Sequence, residues 1–288
     1  MYNEIKTVTK LPDGREIELS TGKLAKQANG SVVLKMGKTM LLATVTASKE
    51  PKEDVDFLPL SVDYRENYSA VGRFPGGFLK REGRPSNHEV LVSRLIDRAI
   101  RPLFPDNFHY EVFVNVFLIS VDKNDMPDAL AGLAASSAIM VSDLPFNGPM
   151  SEVRASRIDG EIVINPVTDA NENSDIDLIV AATEDNIMMV EGEMKEVQEN
   201  EMLDLIKEAH NTLKAQCQAQ KELEKLAEAQ TKRELPVKEE DESLFNELKE
   251  AVYQKCYDIA KEGIADKHIR EEKIDNILKE IKEEEKEN

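Results

Sequence analysis

Short apolar, β-rich stretches alternate with polar turn signals through the first half of the chain, and helical spacing dominates from residue 193 onward. Residues 4–10, 15–20, 31–36 and 39–48 are short stretches rich in β-branched side chains. Between them Pro12-Asp13-Gly14, Asn29-Gly30 and Gly37-Lys38 supply turn chemistry. Residues 58–65 predict a further strand, and residues 111–122 (EVFVNVFLISVD) predict one dense in β-branched and aromatic residues. A helix is expected after Ser86, where Ser86 and Glu89 form a capping box and Pro85 and Val90 are placed as a hydrophobic staple. A second helix is predicted from Pro127 to about residue 142, with proline at the first turn, where its missing donor does no harm. A hairpin around Asp159-Gly160 joins 152–158 to 161–165, and 176–183 with 187–192 make one more strand pair. These elements predict an α+β domain over residues 1–192, with mixed strands and two helices packed on them.

From residue 193 the spacing changes. A helix over about 197–230 lies in a connecting segment, 193–236, and Pro236 is expected to break it. A stripe of Leu244, Leu248, Val252, Cys256 and Ile259, and then a helix carrying Ile274, Leu278 and Ile281, predict a small all-α domain over 237–288. The closing run KEIKEEEKEN has neither cap nor strand. It is expected to fray and reads as an imposed boundary rather than a natural finish.

Charge sharpens this picture. The 288 residues carry a formal net charge of -19, which argues against broad coating of nucleic acid, usually the work of a basic domain. Residues 72–104 run against that balance, with seven basic residues (Arg73, Lys80, Arg81, Arg84, Arg94, Arg98 and Arg101) and three acids (Glu82, Glu89 and Asp97). A positive island in an acidic chain is an address for a polyanion and points to RNA. The helical tail is the opposite, with 28 acids and 17 bases over residues 191–288, and phosphate contact there is unfavourable. Cys217 and Cys256 have no metal-ligand spacing and read as free thiols in a reducing cytosol. No apolar run reaches the roughly 18 residues of a membrane helix, and the N-terminus lacks an apolar signal segment. The expectation is a soluble, cytoplasmic protein with no membrane partner.

Within the island, Gly76-Gly77 precedes Phe78, Leu79, Lys80 and Arg81. Glycines let backbone approach a ligand closely. An exposed ring beside two cations suits single-stranded RNA, the ring stacking on a base and the cations holding phosphates. The competing reading is a flexible loop whose phenylalanine tucks into the core and whose charges are merely solvated. Arg94, Arg98 and Arg101 share one helix face and either extend a phosphate track or form structural ion pairs with strand carboxylates. Asp122, Asp125 and Asp128, and above all Asp175 and Asp177, are the carboxylates to test as a metal site, such as one for magnesium. Solvation of strand ends is the preferred reading there. The small residues of 129–137 suit close helix packing, and Asp128 would repel an anion at that helix start.

The stretch FLPLSVDYRENYSAVGRFPGGFLKREGRPSNHEVLVSRLIDRAIRPLFPDNF, with PDALAGLAASSAIMVSDLPFNGPMSEVRASRIDG after it, resembles the first RNase PH-like repeat of the bacterial polynucleotide phosphorylase family. The helical segment after residue 192 resembles it too. The resemblance implies 3′-to-5′ phosphorolysis of RNA, inorganic phosphate as co-substrate, a homotrimeric ring threaded by RNA, and magnesium in the full enzyme. Carried over to this chain, it implies RNA contacts at Arg73, Phe78, Leu79, Lys80, Arg81, Arg84, Arg94, Arg98 and Arg101. The family's loop reads Phe-Phe-Arg-Arg where this chain has Phe78-Leu79-Lys80-Arg81, so one ring is lost and one guanidinium becomes an ammonium. Competent repeats carry a lysine where Ile179 stands and phosphate-cradling serines where Pro127-Asp128-Ala129 stand. The resemblance therefore implies no catalytic residue and no bound magnesium in this segment, with catalysis in a second repeat. The alternative is a non-catalytic scaffold or protein-interaction module.

Overall fold

Along most strands of the first sheet burial alternates at the pitch of the pleat. In the computed structural model, which describes residues 4–52, 55–235 and 242–287, β1 (Ile5–Lys10), β2 (Glu16–Thr21), β3 (Gly30–Met36) and β4 (Thr39–Ala47) run as an antiparallel meander. The chain then forms β5 (Leu60–Glu66), crosses over through α1 (Asn87–Ile100) and returns as β6 (Val112–Ser120). β6 inserts between β4, antiparallel, and β5, parallel, which completes a six-stranded sheet of order β1-β2-β3-β4-β6-β5. After α2 (Asp128–Met140) come β7 (Met150–Ile158), β8 (Glu161–Ile164), a short α3 (Thr168–Asn171), β9 (Ile176–Thr183) and β10 (Ile187–Met194). These strands form a second, antiparallel sheet of order β10-β9-β7-β8.

The expected α+β architecture is the one found, and the helices lock it together. Helix α2 touches β3 and β4 of the first sheet and β7 of the second, and all thirteen of its residues are buried. Its small side chains permit that approach. A Cβ added at Gly30 on β3 would stand 2.1 Å from the Ala138 carbonyl oxygen, and one at Gly132 would stand 2.1 Å from a Glu152 carboxylate oxygen. α1 starts at the expected capping box, with Ser86 Oγ accepting from Glu89 N and Glu89 accepting from Ser86 N. Val90, expected to staple onto Pro85, is instead 46% exposed.

The connecting helix expected between two domains is part of the first unit. α4 (Glu199–Leu226) packs on β1, β7 and β9, burying Leu205, Ala209, Leu213, Cys217 and Leu223. The segment behind it is fastened by Arg233, which donates to Asp143 at 2.7 Å and to the Ser48 carbonyl at 2.9 Å. The compact unit accordingly runs Met1–Leu235 rather than ending at residue 192. Burial pushes the Cys217 thiol up to about 12, consistent with an inert packing residue.

Pro236–Asn288 is a second compact unit, in which α5 (Glu242–Lys261) and α6 (Lys267–Glu287) pack together. The closing run expected to fray is helical to Glu287. Its expected stripe is shifted: Ile277 is buried, whereas Ile274 and Leu278 are 40% and 49% exposed. The break at Pro236 and the side chain of Leu244 lie outside the described residues.

Glu152, on β7 beneath α2, is fully buried, and neither carboxylate oxygen has a hydrogen-bond partner. Burial, reinforced by the nearby Asp128, raises its carboxyl well above the usual 4.5. A group that holds its proton more tightly when folded contributes stability that is whole below about pH 4.5 and drains as pH rises toward the native value. The unfolding free energy from urea titrations should therefore fall with rising pH in this window, by at most about 1.4 kcal/mol per pH unit. Glu152→Gln should flatten that slope; an unchanged slope would mean that Glu152 is not its source. Separately, Gly30→Ala should cost about 2–3 kcal/mol by overpacking against α2, read as a lower denaturation midpoint.

Candidate nucleic-acid interface

The loop between β5 and α1 is pinned at its base and open at its tip. Glu89 joins its two ends: one carboxylate oxygen accepts from Glu66 N at 2.9 Å, the other from Ser86 N at 2.6 Å. Burial opposes ionisation at Glu89, yet these N–H donors hold its carboxyl below the usual range. Glu82 adds a second tie by accepting from Tyr68 N at 3.0 Å. A 3-10 turn, Tyr68–Val71, ends on left-handed Gly72.

Beyond that base the side chains face solvent. Phe78 is 99% exposed and Leu79 74%, so the reading that tucks the phenylalanine into the core fails. Arg73, Lys80, Arg81 and Arg84 are exposed. None of these four forms an ion pair with another described residue, and neither does Arg94 on α1. Unpaired cations in an acidic chain leave their charge free for an external anion.

The arginine row of α1 divides. Arg94 is exposed and projects beside a cleft shared with Asp63, Pro85 and Asp97. Arg98 pairs with Glu191 on β10. Arg101 pairs with Asp97 at 2.7 Å and donates to the carbonyls of Leu58 and Leu60 at 2.9 and 3.2 Å. Two of the three guanidiniums thus brace strands, the structural reading left open above.

The candidate metal carboxylates are held by arginines. Asp177 accepts from Arg154 at 2.7 and 2.8 Å and from Asn171 Nδ2 at 2.8 Å. The same Arg154 reaches Asp128 at 2.6 Å. Asp175 is bound at 2.7 Å by Arg157, which also pairs with Glu201 at 2.6 Å. Two carboxylates whose oxygens are taken by guanidinium forks offer a divalent cation a poor site. Ile179, where a lysine would act, is buried in the core. These residues do not fit magnesium, and among the described residues no group of three or more His, Cys, Asp or Glu is arranged to hold a metal ion.

One titratable cluster escaped the sequence reading. His88 lies 3.5 Å from Glu66, which also accepts from the Tyr64 hydroxyl at 2.8 Å. The hydrogen bond to Glu66 raises the His88 imidazole, and its counterpart lowers Glu66. The cluster edges a cleft of about 530 Å³ whose walls include Tyr68, Val71 and Met126. A lone histidine after Asn87 carried no signal of this, because its partner comes from β5.

Two family models match the chain in succession: the 3′ exoribonuclease family, domain 1, over residues 13–145, and domain 2 over residues 148–212. The chain belongs to the 3′ exoribonuclease family. The seam between these two family domains falls between α2 and β7, inside the first compact unit. The polyribonucleotide nucleotidyltransferase of Phocaeicola vulgatus is 58% identical over 98% of this chain and 40% of its own length. That of Bacteroides fragilis is 57% identical over the same shares, and that of Porphyromonas gingivalis is 55% identical over 98% of this chain and 38% of its own. The chain thus spans about two-fifths of the length of the curated relatives it matches. A solved structure described as an Archaeoglobus fulgidus exosome with RNA bound to the active site matches with a TM-score of 0.57 at 18% identity, covering 75% of this chain and 92% of that one. At that identity the likeness is one of fold. Among the described residues no helix is long and apolar enough to cross a membrane.

The division among the family member's arginines can be measured. Arg101→Ala removes charge-assisted bonds to the Leu58 carbonyl just before β5 and the Leu60 carbonyl at its start, and should lower stability by about 1–3 kcal/mol. Arg94→Ala should stay within about 0.5 kcal/mol. Equal urea midpoints for the two variants would remove the bracing role of Arg101.

Proposed function

We propose that this chain is the N-terminal portion of a phosphorolytic 3′-to-5′ exoribonuclease working on RNA in the cytoplasm, and that its own task is to bind and guide single-stranded RNA within a homotrimeric ring. The observation that carries this reading is the loop tip. Exposed cations that form no ion pair with another described residue share the loop with the fully solvated Phe78, on a base fixed by Glu82 and Glu89. The name of the relatives, polyribonucleotide nucleotidyltransferase, supports the reaction class.

In that reaction inorganic phosphate attacks the 3′-terminal phosphodiester. A bond forms from a phosphate oxygen to the terminal phosphorus, and the bond to the 3′ oxygen of the preceding nucleotide breaks. That oxygen leaves with a proton as the new RNA end, and a nucleoside diphosphate is released. Rate then depends on positioning and charge neutralisation more than on covalent work by the protein. This chain contributes the positioning. Phe78 presents a stacking face, Lys80 and Arg81 meet backbone phosphates, and Arg73, Arg84 and Arg94 continue the track toward α1. Arg98 and Arg101 support that track through the strands they brace. Catalysis, and any magnesium it uses, belongs to a second repeat beyond this chain.

The alternative, a passive scaffold, draws on the arginine pairing of Asp128, Asp175 and Asp177 and on the bracing roles of Arg98 and Arg101. The two readings part over RNA affinity. Fluorescence anisotropy of a short single-stranded RNA should show loss of affinity in Lys80→Ala/Arg81→Ala. The log–log salt slope should become shallower by about 1.4, the loss of two phosphate contacts on a single strand. Equal and negligible binding by both proteins would favour the scaffold. The chain alone should release no nucleoside diphosphate from RNA and phosphate; detectable release would overturn the placing of catalysis elsewhere.

A further inference from the structure

The loop carries a second solvated ring that the chemistry above does not use. Phe74 is 75% exposed and is absent from the side chains packed against the core. Its surroundings are built rather than accidental. The chain turns through residues 77–79 with Gly77 at φ +71°, and Lys80 follows in the left-handed region at φ +52°. That conformation is uncommon for a residue with a Cβ. The Lys80 ammonium stands over the ring of Phe74, 5.6 Å from the centroid. This is within the reach of a cation–π contact.

We propose that Phe74 is a nucleobase-stacking subsite of the RNA interface, separate from Phe78, with Lys80 as the group that orients it. The inference rests on the RNA reading of the loop and deepens it. The ammonium stands over one face of the ring, which leaves the remainder of the exposed ring for an unpaired base. The same ammonium, with Arg73 next in sequence to the ring, lies where the phosphate attached to that base would sit. Charge and π-surface meet in one place, the combination that single-stranded nucleic acid recognition needs. Because every base presents a π-face, the subsite would tolerate any sequence and reject a duplex, whose bases are already stacked.

The chain contains no tryptophan, so Phe74→Trp installs a unique fluorophore at the subsite. Titration with a short oligoadenylate should quench it, whereas an abasic oligomer of the same length and charge should not. Phe74→Leu keeps the bulk and removes the ring. It should weaken oligoadenylate binding about five- to a hundredfold, the range for losing one base–aromatic stack, and leave the salt slope unchanged because no charge is lost. Unaltered affinity in Phe74→Leu, alongside weakened binding in Phe78→Leu and Arg81→Ala, would overturn the subsite and leave the loop reading standing. Unaltered affinity in all three would overturn both. Equal quenching by the abasic oligomer would mean that the ring senses the backbone and not a base, which also overturns the proposal.

Discussion

The close approach of helix α2 to two sheets is the constraint on which the rest depends. A helix lying between two β-surfaces has no solvent face, so every side chain must be apolar, small or satisfied. Its alanines, serines and Gly132 meet that condition, and Gly30 of β3 lets the strand backbone come under the Ala138 carbonyl. Because α2 is fixed against β3 and β4, the sheet that holds β6 and β5 is fixed too. α1 packs on β5 and on α2, and the basic loop hangs between β5 and α1. The position of the loop is therefore set by a helix that contains none of its residues.

The same architecture explains why one set of charges is spent and another is free. Arg154 and Arg157 stand on β7, next to β9, and register sets Arg154 two positions along from Asp177 and Arg157 opposite Ile176, the neighbour of Asp175. Each guanidinium satisfies two acids, with Arg154 joining Asp128 to Asp177 and Arg157 joining Asp175 to Glu201. Partly buried charges of this kind must be paired, because an uncompensated one costs several kcal/mol. The loop cations face water and carry no such obligation. Overall acidity then works in favour of local binding, since the net charge repels a polyanion while the island attracts one.

How much of this was legible in the sequence follows from the range of each interaction. The strands were legible because alternation and turn residues act within a few positions, and the start of α1 because its capping box closes over three. α4 was legible as a helix but not as part of the first unit. Its inward face includes Thr212, Gln216 and Gln220, whose burial depends on partners such as the Met150 carbonyl, 70 residues away. The pairing of Asp177 with Arg154 needed the register of two strands, and the bracing by Arg101 needed the path of residues 58–60. The loop cations were legible for the opposite reason: among the described residues they have no ion partner to find, so composition alone exposed them.

Glu89 shows how a fixed base and a free tip can coexist. Its side chain closes the loop at Glu66 and Ser86 while its backbone carbonyl accepts from Ser93 Oγ, which in turn receives Tyr64 N. The entropy of closing the loop is thus met by bonds at its ends, and the tip needs no packing of its own. Solvated rings at Phe74 and Phe78 lose the burial that would normally hold them, about 25 cal/mol per Å² of apolar surface. A loop held in place but left unpacked keeps that free energy available for a ligand that covers the rings. With the loop already positioned, less ordering cost is subtracted from it when the ligand arrives.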